Sequence, residues 1–162
     1  MSNFVHKIII MNKIFETSNN LSSTVIRLTL SLVLWPHGAQ KLLGIFGGFG
    51  FTNSMKYFTD TVNLPWIIGL IVILIEFAGT IALALGFATR IVAALIIPLF
   101  LGIIITHHLQ AGFFMDWFGA NPKGFEGIEF DLLMIGLAIS LIISGGGKFS
   151  IDRLFYRPDQ VS

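Results

Sequence analysis

A long apolar segment closes with the ten residues Trp35-Pro36-His37-Gly38-Ala39-Gln40-Lys41-Leu42-Leu43-Gly44. A proline, an imidazole, an amide and an ammonium group therefore follow one another directly after a hydrophobic helix. Polar and ionisable side chains at membrane depth are costly, and they are usually retained because a function or a buried partner needs them. The stretch predicts a set of membrane helices packed around this polar segment.

The composition indicates an integral membrane protein with a single domain. Of the 162 residues, 54% are hydrophobic and only 12% are charged, whereas a soluble domain carries about 25% charged residues. The net charge of +1 gives no indication of nucleic-acid binding. The sequence has no cysteine, which excludes thiolate catalysis and cysteine-ligated clusters. It also has no fingerprint for flavin, nicotinamide or an iron–sulfur cluster, and we expect no metal site.

Four apolar segments are long enough to cross a hydrocarbon core of ~30 Å, and we expect an all-α transmembrane four-helix bundle. The predicted spans are about 24–43, 64–85, 90–107 and 127–144, within a membrane domain at 21–155. Residues 1–20 form either an interfacial helix or a disordered tail, and residues 156–162 form a C-terminal tail.

Local signals predict how individual helices begin and end. The sequence Leu21-Ser22-Ser23 is typical of a helix N-cap, and Thr89 is a candidate cap for the third span. Arg27 is expected to extend to the lipid headgroups. Three glycines are expected to let helices approach closely: Gly79, Gly86 and Gly136.

The basic residues predict that both termini lie on the cytoplasmic side. In that orientation seven basic residues lie inside, and three lie outside. An excess of Lys and Arg in cytoplasmic segments is the usual arrangement. The inner set is Lys7, Lys13, Arg27, Arg90, Lys148, Arg153 and Arg157, and the outer set is Lys41, Lys56 and Lys123.

Several motifs together resemble the DoxX family of small membrane proteins. They are His37-Gly38-x-Gln40-Lys41-x-x-Gly44, the loop Gly47-Gly48-Phe49-Gly50, Glu76 in the second span, Leu85-Gly86-Phe87-Ala88-Thr89-Arg90 and Gly147-Lys148-Phe149-Ser150-Ile151-Asp152-Arg153. The resemblance covers roughly residues 21–155. It implies a multi-pass protein of the bacterial inner membrane with a role in membrane redox chemistry. Relatives in the family include the membrane subunit of a thiosulfate:quinone oxidoreductase.

Candidate site residues lie toward the outer ends of the predicted helices. At 1.5 Å per residue, His37 lies ~20 Å along the first span, and residues at i+3 and i+4 share its face. Glu76 is near the middle of the second span, and the third span ends at His107. We expect one outer cavity that contains His37, Gln40, Lys41, Glu76, His107, Glu129 and Asp131.

Such a cavity suits a quinone head group. His37, Gln40 and Lys41 supply hydrogen-bond donors for its carbonyls, and His37 and Glu76 are candidates for proton transfer, with His107 as a further relay. The alternative is that these groups only cap a kinked helix end, and that Glu76 makes a helix–helix hydrogen bond. Glu126 is interpreted as a solvated acid at a helix N-terminus. A haem between His37 and His107 has no other support and is not favoured.

Three functions remain open at this point. The first is a quinone-interacting subunit that works with a soluble or membrane redox partner, in which case any enzyme activity is that of a quinone-linked oxidoreductase. The second is a non-enzymatic scaffold or assembly factor for a partner oxidoreductase. The third is a carrier of small solutes or protons, which needs a homo-oligomer because a chain of this length has little room for a path. In all three the chain contacts the lipid bilayer.

Overall fold

The computed structural model describes residues 12–119 and 126–156, and every regular element in these ranges is helical. The all-α prediction is confirmed for this part of the chain. Residues 12–15 are helical, whereas the rest of the predicted interfacial helix or tail lies largely outside the described residues. All but the first residue of the predicted C-terminal tail also lies outside them.

After the helical residues 12–15, four long helices and two short ones make up the described part of the fold. Their bounds are α1 Leu21–Leu43, α2 Gly50–Lys56, α3 Trp66–Leu85, α4 Thr89–Thr106, α5 Glu129–Ser144 and α6 Asp152–Phe155. A π-helical turn at Tyr57–Thr61 extends α2, another at Ile75–Gly79 interrupts α3, and a 3₁₀ turn at His108–Ala111 follows α4. The four long helices correspond to the four predicted apolar segments and differ from them by a few residues at the ends.

The long helices pack around a common apolar core. α4 lies along α5, and α1 contacts both α3 and α5. Fully buried side chains from all four helices meet there, including Leu30, Leu83, Ile96 and Leu141. By length and apolar composition, two of the described helices can cross a membrane, Trp66–Leu85 and Thr89–Thr106. Both have large apolar side chains exposed on their outer faces.

The helix caps differ from those predicted. Asn20 caps α1, because its side-chain oxygen accepts a hydrogen bond from Ser23 N at 2.9 Å. The carboxylate of Asp152 caps α4, accepting hydrogen bonds from Ala88 N at 2.6 Å and Thr89 N at 2.9 Å. Thr89 therefore begins the helix without supplying the cap. A sequence window cannot find a cap that lies 63 residues away along the chain.

Arg27 is buried inside the bundle, so the prediction that it extends to the headgroups is wrong. Its guanidinium donates hydrogen bonds to the carbonyls of Gly146 at 2.8 Å, Leu83 at 3.2 Å and Phe149 at 2.5 Å, and also to that of Ala84. These carbonyls lie where α3 and α5 end and in the segment after α5. The last carbonyls of a helix have no donor within the helix and need one from elsewhere. The planar guanidinium of Arg27 donates to carbonyls at the C-terminal end of α3 and just beyond that of α5.

The tightest helix contact involves a glycine that was not singled out for this role. A Cβ on Gly38 of α1 would lie 2.5 Å from Phe77 N and 2.6 Å from Glu76 O of α3. Gly86 is also tightly packed, against Ser150, and has φ +67°. A Cβ on Gly136 would meet no atom within 4 Å among the described residues, and one on Gly79 would make only ordinary contacts. The close-approach prediction is therefore wrong for these last two.

Candidate functional site

A cavity of about 490 Å³ opens between α1, α3, α4 and α5. This volume lies in the range of ~300–1,000 Å³ that is typical of small-molecule sites. Apolar side chains form most of the wall, and ionisable ones converge on it from different helices. The lining residues are Val33, Leu34, His37, Lys41, Glu76, Phe100, Ile103, His108, Met115, Glu126, Phe130 and Asp131.

Lys41 and Glu76 form an ion pair across α1 and α3. Lys41 Nζ lies 2.6 Å from Glu76 Oε2, and the two side chains are 28% and 5% exposed. At this distance the ammonium group compensates the charge of the carboxylate oxygen directly. Glu76 therefore has an ionic partner from another helix inside the bundle.

The backbone around Glu76 has an unusual geometry. Glu76 lies on the π-helical turn Ile75–Gly79 of α3. Such turns are rare, and they occur frequently at functional sites. The turn is supported by Thr80 Oγ1, which donates to Glu76 O at 2.6 Å, and by the close contact with Gly38. The carboxylate is consequently attached to a rigid, tightly packed segment.

His108 and Asp131 form a second acid–base pair in the same cavity. His108 Nδ1 lies 2.7 Å from Asp131 Oδ2, and the Asp131 side chain is fully buried. Because the carboxylate accepts this hydrogen bond, Nδ1 carries the proton and Nε2 remains to accept or donate according to charge. The other carboxylate oxygen, Oδ1, is buried and has no hydrogen-bond partner among the described residues.

His37 lines the cavity near the Lys41–Glu76 pair but makes no hydrogen bond within the part of the chain that the structure describes. Its ring is exposed. Pro36 precedes it inside α1, which remains one continuous helix. The His37 ring can therefore reach the cavity, and no hydrogen bond from a described side chain fixes its orientation.

Three predicted site residues do not line this cavity. Gln40 Nε2 donates to Phe46 O at 3.0 Å and so fixes the glycine-rich loop, beside a smaller cavity of about 240 Å³. Glu129 Oε1 accepts a hydrogen bond from Met115 N at 2.9 Å. His107 Nε2 lies 2.7 Å from Tyr57 Oη, and Nδ1 lies 2.6 Å from Thr106 Oγ1. These three side chains hold loops and helix ends together.

His107 also differs electrostatically from the histidine that follows it. It lies just beyond the end of α4, where partial burial, and then the neighbouring His108, lower its pKa. The two adjacent rings have different surroundings, and the α-helix ends at Thr106 while the 3₁₀ turn begins at His108. One of them stacks on Tyr57, and the other lines the cavity. Both nitrogens of His107 are engaged, which does not fit a haem shared with His37.

The segment at residues 112–116 borders the cavity and is held in place by hydrogen bonds. Glu126 Oε2 accepts a hydrogen bond from Asp116 N at 2.5 Å, and Ile128 N and Glu129 N donate to Gly112 O and Phe113 O at 3.1 and 2.9 Å. Met115, in this segment, lines the cavity. Glu126 therefore has a structural contact as well as a position at the cavity, and its interpretation as a merely solvated acid is incomplete.

Four of the six ionisable lining residues were expected from the sequence, whereas His108 and Glu126 were missed. The positions of His37, Lys41, Glu76 and Asp131 follow from helical rise and the order of the helices. The choice between His107 and His108 depends on where the α-helix ends, and that boundary is the least predictable part of an element. The sequence did indicate that only one of the two histidines could face the cavity, because adjacent residues on a helix point ~100° apart.

The arrangement combines donors, acceptors and apolar surface in one small space. Two carboxylates on α3 and α5 are each next to a basic group from another segment. Imidazole and carboxylate side chains are the usual groups for proton exchange with a ligand, while the phenylalanine and aliphatic walls suit an aromatic or isoprenoid group. The cavity thus has the groups needed to bind a flat, two-ended polar molecule and to exchange protons with it.

Comparison with known proteins agrees with this architecture. A family model described as DoxX matches residues 22–109, which include α1 except its first residue, α3, α4 and both lining histidines. A curated relative from Bacillus subtilis (strain 168), "Putative oxidoreductase CatD", is 27% identical over 147 residues, covering 91% of this chain and 93% of the relative. No solved structure gives a significant match.

The matched region is more than half of the chain, and it includes both helices that are long and apolar enough to cross a membrane. The protein is accordingly membrane-associated. The chain belongs to the DoxX family.

Proposed function

We propose that this chain is the quinone-interacting membrane subunit of a redox system, and that the cavity lined by His37, Lys41, Glu76, His108 and Asp131 is its site. The observation that carries the proposal is the pair of acid–base couples, Lys41–Glu76 and His108–Asp131, in one apolar cavity. Reduction or oxidation of a quinone moves protons as well as electrons. Groups that exchange protons must therefore lie next to its oxygens.

In this proposal α1, α3, α4 and α5 all cross a bacterial plasma membrane, with both termini in the cytoplasm. The support is the distribution of Lys and Arg and the length and apolar composition of α3 and α4. The cavity then lies toward the outer side, near the end of α1 and the start of α5. The lipid-facing sides of the helices explain the many exposed large apolar residues.

Each lining group has a defined role in the proposed site. His37 donates a hydrogen bond to one ligand oxygen, because no described side chain competes for its ring. Glu76 and His108 hold or release protons at that oxygen and at the second one. Lys41 orients the Glu76 carboxylate as its ionic partner, and Asp131 fixes the tautomer and orientation of His108. Phe100 and Phe130, whose rings lie 6.2 Å apart, provide an apolar wall for the ring of the ligand.

A partner protein is part of the proposal. The sequence has no cysteine and no flavin or nicotinamide fingerprint, so electrons would be exchanged with a redox centre in another subunit. The name of the Bacillus subtilis relative, an oxidoreductase, supports a redox assignment. The activity would then be an oxidoreductase reaction of the complex, to which this chain contributes the quinone site.

Two adjacent histidines provide a matched test. The full chain in detergent is titrated with a short-tail benzoquinone, and binding is followed by tryptophan fluorescence. We expect His108→Asn to weaken binding at least about tenfold, since a buried charge-assisted hydrogen bond contributes ~1.5–3 kcal/mol. His107→Asn, outside the cavity lining, should leave binding unchanged. Equal effects of the two substitutions, or no binding by the unaltered protein, would contradict the proposal.

A scaffold role is the second candidate, and one observation favours it. Glu76 already has Lys41 as an ionic partner, so its charge is compensated without any ligand. If the Lys41–Glu76 pair only stabilises the packing of α1 against α3, Glu76→Gln lowers the thermal stability in detergent and leaves the affinity for quinone unaltered. If Glu76 serves the ligand, the same substitution changes affinity.

A further inference from the structure

The end of the bundle away from the cavity carries an exposed patch of aromatic, aliphatic and basic side chains. It is formed by the segment after α5, by α6, by the turn between α3 and α4, and by residues next to these. Its large apolar side chains are between 43% and 77% exposed. We call it the basic patch, and it comprises Phe87, Phe149, Leu154 and Phe155 together with Lys13, Arg90, Lys148 and Arg153.

Backbone hydrogen bonds fix the basic patch to the ends of the long helices. Lys148 N donates to Asn20 O at 2.9 Å, and Asn20 is the cap of α1. Asp152 N donates to Gly86 O at 2.9 Å, directly after α3. The carboxylate of Asp152 caps α4. The exposed side chains of the patch therefore project from a backbone that is attached to three helices.

The position of the patch explains why apolar side chains are exposed there. It lies level with the end of α3 and the start of α4, the two described helices that are long and apolar enough to cross a membrane. Phe87 is in the turn that joins them. Aromatic side chains are enriched where a membrane helix meets the headgroups, and basic residues next to apolar ones are typical of surfaces that lie on anionic lipids.

Two of the cations in the patch have donors that no acid occupies. Arg153 Nη1 donates to Lys148 O at 3.3 Å and to Asn19 Oδ1, and a guanidinium has five N–H groups in all. Lys148 Nζ lies 5.5 Å from the centroid of the Phe149 ring. Neither cation forms an ion pair within the part of the chain that the structure describes. Both can therefore bind an anion without losing an existing ionic partner.

The two ends of the bundle differ in the sign of their charge. Beside the four basic residues of the patch, Glu16 is an exposed acid, 3.7 Å from Arg90. Arg27 and Asp152 beneath the patch are buried and opposite in charge. At the other end, outside the cavity pairs, the described residues include one cation, Lys56, and four acids. These acids are Asp60, Asp116, Glu126 and Glu129.

Resting on the proposed crossing of the membrane by α3 and α4, we propose that the basic patch binds anionic phospholipid. The phosphate group of the lipid contacts Lys148 and Arg153. Its glycerol and upper acyl carbons pack on Phe149 and Leu154. Free phosphate would meet the cations but would leave the apolar side chains uncovered, so a lipid is the ligand that uses the whole patch.

The test is native mass spectrometry of the full chain in neutral detergent with equal amounts of phosphatidylglycerol and phosphatidylcholine. A basic residue near an anionic membrane surface strengthens binding about fivefold. We therefore expect phosphatidylglycerol to be preferred at least about tenfold, and Lys148→Gln or Arg153→Gln to reduce this preference about fivefold each. Lys56→Gln makes the same charge change at an exposed position of the opposite end and should leave the preference unchanged.

Thermal unfolding of the same samples provides an independent readout. Phosphatidylglycerol should raise the melting temperature of the unaltered chain more than phosphatidylcholine does, because a ligand of the folded state stabilises it. High salt should remove the difference, since it screens exposed charges. The same concentration of inorganic phosphate should neither displace the lipid nor reproduce its effect. These measurements on the unaltered protein decide the question even if a variant does not fold.

The outcomes separate this inference from the proposed function. A preference for phosphatidylglycerol that is weakened by the patch substitutions, and not by Lys56→Gln, supports the inference. Equal binding of the two lipids, equal effects of the three substitutions, or displacement by inorganic phosphate overturns it and leaves the proposed quinone site in place. If the chain does not float with phosphatidylcholine liposomes after reconstitution, the proposed membrane crossing and the inference both fail.

Discussion

Replacing Gly38 by alanine tests the helix contact on which the site depends. The added Cβ would lie 2.5 Å from Phe77 N, and ordinary van der Waals contact begins at 3.4 Å. The backbones of α1 and α3 must therefore separate by about 0.9 Å at this point. Because the opposing atoms belong to the backbone, no side-chain rotation can relieve the overlap.

The expected cost follows from two opposing effects. Overpacking a tight contact costs about 1–3 kcal/mol, and a rigid backbone neighbour favours the upper part of that range. Alanine is about 1 kcal/mol better than glycine in a helix interior. We expect a net decrease of roughly 1–2 kcal/mol in the free energy of unfolding, together with weaker quinone binding because Glu76 moves with the turn.

A matched control is available on α5. Gly136 has open space around its would-be Cβ among the described residues, so Gly136→Ala should be neutral or stabilising by up to ~1 kcal/mol. Both variants are purified in the same detergent, and their unfolding is followed by circular dichroism with increasing denaturant. If Gly38→Ala is as stable as Gly136→Ala and binds quinone normally, the close contact between α1 and the π-helical turn is not as described.

Three further predictions concern the polar groups that hold the bundle. Arg27→Met should lower the free energy of unfolding by roughly 3–5 kcal/mol, because four backbone carbonyls lose a charged donor. Thermal unfolding in detergent should show a much larger loss of stability for this variant than for Lys148→Met at an exposed position. Equal losses would contradict the hydrogen bonds from Arg27 to the four carbonyls. Asp152→Ala should cost about 1–2 kcal/mol, and hydrogen exchange at the amides of residues 88 and 89 should accelerate; unchanged exchange would refute the cap. Gln40→Ala should change stability by less than ~0.5 kcal/mol and leave the quinone dissociation constant unaltered in a titration, whereas weaker binding would place Gln40 in the site.

The helical segments could be predicted from the sequence because they follow from apolar length alone. The segments at 64–85 and 90–107 correspond to Trp66–Leu85 and Thr89–Thr106. The convergence of His37, Lys41 and Glu76 could also be predicted, since helical rise fixes how far along each span a residue lies. These are properties of single helices and of their order in the chain.

The contacts that connect distant segments could not be predicted in the same way. Arg27 bonds to carbonyls 56 to 122 residues away, and Asp152 caps a helix 63 residues before it. Such partners depend on packing that a single sequence does not reveal. They do give two of the family motifs a physical explanation, because the Leu85–Arg90 and Gly147–Arg153 segments meet around Arg27 and Asp152.

The selection of His108 over His107 depends on a local event, the change from α-helix to a 3₁₀ turn after Thr106. Asp131, its partner, was expected in the site. The contact between the two residues could not be predicted, because it depends on where α5 lies relative to this turn. The same holds for the π-helical turn at Glu76, which no periodicity in the apolar residues predicts. Two of the features most relevant to function are thus short departures from regular helix.

Organic extraction of the gently purified protein, followed by mass spectrometry for quinones, shows whether the chain carries a quinone. We expect a near-stoichiometric quinone or quinol from the unaltered chain and its loss from His108→Asn, with His107→Asn retaining it. A protein that carries no quinone, and that takes up none when it is reconstituted in quinone-containing liposomes, would rule out a quinone site in this chain.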